Sequence, residues 1–145
     1  MKRTPAFISL LLLIFSLGCA SQERQSQRGF AMPAGDAEAG RQAFEQLQCT
    51  GCHLVDGLED SLPRPTAVPQ VDVKLGGLAM REPTDGELLT SIINPSHRIA
   101  PAGERERVLS GSGSRMANLN DIMTVQQLID LVSFLHERYR TAEES

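Results

Sequence analysis

Residues 48–57 read QCTGCHLVDG, which sets Cys49 and Cys52 three positions apart and places His53 directly after the second thiol. Four chemistries compete for such a stretch: a disulfide, a metal knuckle, a redox dithiol, and covalent attachment of a cofactor. A thioredoxin-type dithiol belongs to a βαβ setting, and no strand pattern flanks Cys49. A structural zinc site needs four ligands in closed geometry. Cys49, Cys52, His53 and His97 make up that number, but the adjacent Cys52 and His53 are awkwardly placed to share one tetrahedral ion. A disulfide across two intervening residues leaves His53 without a purpose.

The fourth reading is attachment of haem c. Two thiols at i and i+3 on a tight turn can each add to a vinyl group, while the next residue points its imidazole at the iron. Covalent attachment also suits an exported protein, which cannot recapture a cofactor lost outside the cytoplasm, and the N-terminus carries an export pattern. Met1, Lys2 and Arg3 open the chain and an apolar run from Ala6 to Leu17 follows, too short to span a bilayer comfortably. Next comes FSLGCA, similar to a lipobox in which Cys19 becomes the lipid-modified first residue. Ser16 stands where leucine is usual, so a plain signal peptide cut near Ala20 is the alternative. Lipidation would consume the odd cysteine, and Ala20 after Cys19 resembles lipoproteins sorted to the outer membrane.

The expected organisation is a signal peptide over 1–18, a lipid-anchored flexible tether over 19–33, and one domain over 34–145. The tether SQERQSQRGFAMP is polar and without apolar periodicity. Loss of Lys2 and Arg3 takes the net charge from −4 to about −6, which argues against nucleic acid as a partner. Beyond the signal the aromatics are only Phe30, Phe44, Phe134 and Tyr139, with no tryptophan. Aromatic rings normally supply large blocks of buried area, so a macrocycle at the centre would fill the gap. A small aliphatic core is the alternative.

Three helices are predicted. Asp36 is an N-cap for AEAGRQAFEQLQ, whose Ala39, Ala43, Phe44 and Leu47 share a face. Thr84 and Glu87 form a capping box for DGELLTSII, which must stop near Asn94 because Pro95 follows. Thr124 and Gln127 form a second box for VQQLIDLVSFLHERY, with Val125, Leu128, Ile129, Val132 and Leu135 as its stripe. The segments between are rich in Pro, Gly and Ser, and VDVKL is the only strand-like alternation. The domain reads as all-α with long ordered loops, and loops of that length usually wrap around something.

The order short helix, CxxCH, long loop, helix ending before a proline, methionine in a Gly/Ser-rich loop and terminal helix resembles the class I cytochromes c over nearly all of 34–145. The resemblance implies a cytochrome c fold, three main helices wrapped around one covalently attached haem. It implies that Gly40 and Phe44 cross Phe134, that His53 is the proximal iron ligand, and that a methionine sulfur is the distal one. Met116, eight residues before the Thr124 cap, is the preferred distal ligand. Ala117 stands where similar cytochromes carry a proline. Met123 fits a hydrophobic staple before the cap, and Met80 comes too early in the usual order. In the family a proline carbonyl receives the other ring N–H of the proximal histidine; Pro63, Pro65 and Pro69 are all available. Arg81, Arg98 and Lys74 are candidates to pair with haem propionates, but a solvated cation is the safer reading for each. His97, in an INPS turn, is read as a surface or propionate-side residue, and His136 as solvated.

A His/Met-ligated haem has no open site for substrate. The expected function is therefore a monohaem one-electron carrier and not an enzyme, anchored to the periplasmic side of a bacterial membrane and exchanging electrons with periplasmic or membrane redox proteins. Two alternatives stand beside it: a five-coordinate haem that senses gas or reduces peroxide, and a relay subunit of a larger dehydrogenase or oxidase. No Ser/His/Asp grouping, paired-carboxylate motif or Gly-rich phosphate loop stands out, which disfavours a hydrolase or nucleotide enzyme.

Overall fold

The computed structural model describes residues 31–66, 71–99 and 105–142. The signal segment, Cys19, tether residues 19–30 and Pro69 lie outside the described residues. The compact unit begins at Met32, which packs against the core. Among the described residues no helix is long and apolar enough to cross a membrane.

Helix α1 (Ala37–Gln46) starts where expected, because the Asp36 carboxylate accepts from the amides of Glu38 and Ala39 at 2.9 Å each. Its buried face is Gly40, Ala43 and Phe44, and its outer face carries Arg41 between Glu38 and Glu45. Both expected capping boxes are formed. Thr84 and Glu87 open α2 (Asp85–Ile93), and Thr124 and Gln127 open α4 (Val125–His136). A four-residue helix, α3 (Arg105–Val108), and a two-residue hairpin, β4 (Leu109–Ser110) with β5 (Gly113–Ser114), occupy the loop before Met116.

α1 and α4 cross at very close range. A Cβ on Gly40 would lie 2.0 Å from the Asp130 carbonyl oxygen and 2.8 Å from the Phe134 Cβ, so only glycine fits. Phe44 meets Phe134 at 5.6 Å between ring centroids. Asp130, 6 % exposed, fastens the crossing: its Oδ1 accepts from the Asp36 amide and from Gln126 Nε2, both at 2.9 Å. Asp130→Ala leaves the Asp36 amide without its partner and is expected to cost about 2 kcal/mol, read as a lower urea midpoint at unchanged slope. Asp130→Asn, which keeps an acceptor, should cost less.

The chain departs from an all-helical reading in three short sheets. β1 (His53–Val55) pairs in parallel with β2 (Val73–Leu75), and β3 (Gly77–Ala79) pairs in parallel with β6 (Tyr139–Thr141). A strand thus does follow Cys52, although no βαβ unit surrounds it. α4 stops at His136, earlier than its apolar pattern suggested, because Arg138 and Tyr139 turn to meet β3: the Gly77 amide donates to the Arg138 carbonyl at 2.8 Å. Gly76, at φ +86°, makes this approach possible, since a Cβ there would be 2.6 Å from that carbonyl. Val125 is 74 % exposed and leaves the buried stripe to Ile129, Val132, Phe134 and Leu135. The fold remains mostly helical with long loops, and its core joins α1, α2 and α4 with Val55 of β1 and Leu62.

Candidate functional site

α1 delivers the chain directly into the attachment candidate. After Leu47 caps the helix, Gln48 takes φ +58° and Cys49–Gly51 form one turn of 3-10 helix. Both thiols are free and half-buried. Burial pushes the Cys49 thiol up to about 11, its own backbone pulls the other way, and the neighbouring Cys52 adds a smaller upward push. A redox dithiol needs a depressed pKa at its attacking thiol, and burial moves Cys49 the other way. Among the described residues no three His, Cys, Asp or Glu side chains gather as a metal site. His97 is exposed, with Nδ1 2.8 Å from the Asn94 carbonyl oxygen, so the zinc set does not assemble.

His53 opens β1, its ring 6.4 Å from that of Phe44. Burial lowers its pKa and the Val73 backbone opposes the shift, which favours the neutral imidazole that a metal requires. Among the described residues its buried Nδ1 has no completed hydrogen bond. Neither Pro63 nor Pro65 therefore accepts from it, and the backbone of Val73 is the group that acts on the ring.

Three adjoining cavities of about 300, 150 and 360 Å3 meet here, and each is lined by both His53 and Met116. Cys52 borders the first and third, and Cys49 the second and third. The remaining walls are largely aliphatic, among them Val73, Leu75, Leu88, Leu119 and Leu131. Among the described residues, Arg98 and Arg115 are the charged side chains on the walls. Of the other cations considered for propionates, Arg81 is held by Glu87 in a two-pronged pair at 2.6 and 2.7 Å, and Lys74 lines none of the three cavities. Met80 stands fully exposed, 105 % of its reference surface. Met123 packs on the core but borders none of the three spaces. His136 is half-buried, not solvated, with Nε2 2.7 Å from Asp85 on α2.

The Met116 loop lacks the proline that would stiffen it and is tied down by side chains instead. Ser96 accepts from the Ser114 amide at 3.0 Å, Ser114 Oγ accepts from the Met116 amide at 3.1 Å, and Asn120 Nδ2 donates to the Ile93 carbonyl at 2.9 Å. The INPS turn thus supports the Met116 loop, a role for Ser96 and Asn120 that spacing alone did not show. Arg64 was missed for the same reason. Its guanidinium reaches back to the turn between the two cysteines.

A neutral imidazole, a thioether bordering the same space, two thiols on its margin and apolar walls form a donor set that fits a covalently held haem. The family model described as Cytochrome c matches residues 37–138. No curated protein and no solved structure matches the chain.

Proposed function

Because this chain belongs to the cytochrome c family, we propose that it is a one-electron carrier whose haem c is attached through Cys49 and Cys52 and ligated by His53 and Met116. The observation that carries the ligand pair is that His53 and Met116 both border each of the three adjoining cavities. The haem, when bound, supplies an iron that gains and loses one electron.

The residues of this chain do the rest. The Cys49 and Cys52 thiols would hold the group, each adding across one vinyl double bond, sulfur to one carbon and hydrogen to the other, so that nothing would leave. His53 offers a neutral nitrogen donor, and the Met116 thioether, a soft ligand, favours the reduced state and raises the potential. Aliphatic walls exclude water and disfavour extra charge at the iron. Arg98 and Arg115 offer cations to the haem carboxylates. Were His53 and Met116 both to hold the iron, no site would be left for substrate, which supports a carrier over an enzyme.

Carbon monoxide tests this reading. The reduced protein at neutral pH is expected to leave carbon monoxide unbound, whereas rapid binding would favour the five-coordinate sensor or peroxidase-like alternative. We further propose that Cys19 carries the lipid anchor on the periplasmic side, with outer-membrane sorting read from Ala20. Several acyl chains make such anchoring stable, and confinement to a surface raises the effective concentration of membrane-bound and periplasmic redox partners. Radiolabelled palmitate should enter the native chain and be absent from Cys19→Ala.

A further inference from the structure

The attachment turn adopts an unfavourable backbone conformation. Gln48 is the one non-glycine residue at positive φ among the described residues, a state that persists only where the surroundings enforce it. Inside the turn, the Gly51 amide donates to the Gln48 carbonyl and the Cys52 amide to the Cys49 carbonyl, each at 3.1 Å. These two bonds leave the carbonyls of Thr50, Gly51 and Cys52 to be satisfied elsewhere, and Thr50 and Gly51 are buried, so water is a poor substitute.

All three are served from farther along the chain, by the first residue of β2 and by the side chain of Arg64. The Val73 amide donates to the Cys52 carbonyl at 2.9 Å. Arg64 supplies the other two, Nε to the Thr50 carbonyl at 3.2 Å and Nη2 to the Gly51 carbonyl at 3.5 Å. The same Nη2 lies 2.9 Å from the Asp72 carboxylate, and the Arg64 side chain is 22 % exposed. Arg64 and His53 also border one small void.

We propose that Arg64, anchored by Asp72, is the positioning residue of the haem-attachment turn. It fixes the peptide units between the two cysteines so that both thiols and the His53 ring are presented to one haem at once. Arginine suits the task because its planar fork spans two neighbouring carbonyls, whereas lysine offers a single point charge on a flexible stem. Asp72 holds the fork in place and offsets its charge. The proposal rests on the assignment of Cys49, Cys52 and His53 to haem and is independent of what the haem then does.

The test uses full-length protein matured with haem, comparing wild type with Arg64→Ala, Arg64→Lys and Asp72→Asn. Val132→Ala is the control for lost stability, since Val132 is fully buried on α4 and borders none of the cavities that Cys49, Cys52 and His53 line. Two readouts apply: the fraction of chains with both thioether bonds, by mass spectrometry of the haem-bearing peptide, and amide exchange at Gly51 and Cys52. Both Arg64 variants should show singly attached chains and exchange at those amides at least about tenfold faster than in Val132→Ala, the mark of a local opening. Asp72→Asn should move both readouts in the same direction, less far. Both thioethers intact, with exchange matching Val132→Ala, would overturn the proposal. Should the Arg64 variants fail to accumulate, wild-type behaviour of Asp72→Asn overturns it alone. Wild-type protein without covalent haem would instead sink the attachment assignment, so the two failures are distinguishable.

Discussion

Gly40→Ala is expected to destabilise the domain by about 3 kcal/mol or more, at the upper end of what overpacking costs. The added methyl would sit 2.0 Å from the Asp130 carbonyl oxygen and 2.5 Å from its carbon. Those atoms belong to the backbone of α4, which cannot rotate aside as a side chain tip would. Relief requires the two helices to separate, which would also pull apart Phe44 and Phe134 and loosen the Asp36–Asp130 bond. For a domain of this size the melting temperature should fall by on the order of 10–20 °C. Gly86→Ala, inside α2 with its nearest foreign atom at 4.0 Å, provides the contrast: it should be neutral or stabilising by about 0.5 kcal/mol. Equal melting of the two variants would contradict the packing described for the α1–α4 crossing.

Replacing Cys49 and Cys52 together with alanine is expected to abolish covalent haem, so that acidified organic solvent extracts all of it from any protein that still binds the group. The effect should exceed a simple loss of attachment. His53, Met116 and the aliphatic walls border cavities that the haem would fill, and a group that binds only the folded state stabilises it in proportion to its occupancy. The double variant should therefore melt lower than the intact protein and show haem-dependent stability. Haem that resists extraction from it would contradict the assignment of these thiols.

Much of the helical frame was legible because its signals are local. Asp36, the Thr84–Glu87 pair and the Thr124–Gln127 pair each act within three residues of themselves, so the sequence window contains the whole interaction. The crossing of Gly40 with Phe134 was legible only through family resemblance, since nothing near Gly40 announces a partner so far along the chain. Residues that act across long separations left no local trace. Asp130 caps Asp36 from the last helix, Ser96 holds Ser114, and Arg64 braces the turn between the cysteines. β1 and β6 are three residues each, too short for alternation to register, and both exist because a partner strand is brought alongside. The choice among Met80, Met116 and Met123 was similarly a question of which loop returns to His53. Of the three, Met116 is the one that borders the same cavities as His53, in the loop that Ser96 and Asn120 tie down.

The near-infrared sulfur-to-iron absorption of the oxidised, haem-loaded protein tests the ligand pair most directly. The band should be present in the native chain, persist in Met80→Ala and Met123→Ala, and vanish in Met116→Ala. Its survival in Met116→Ala, or its absence from the native chain, would contradict a haem held between His53 and Met116.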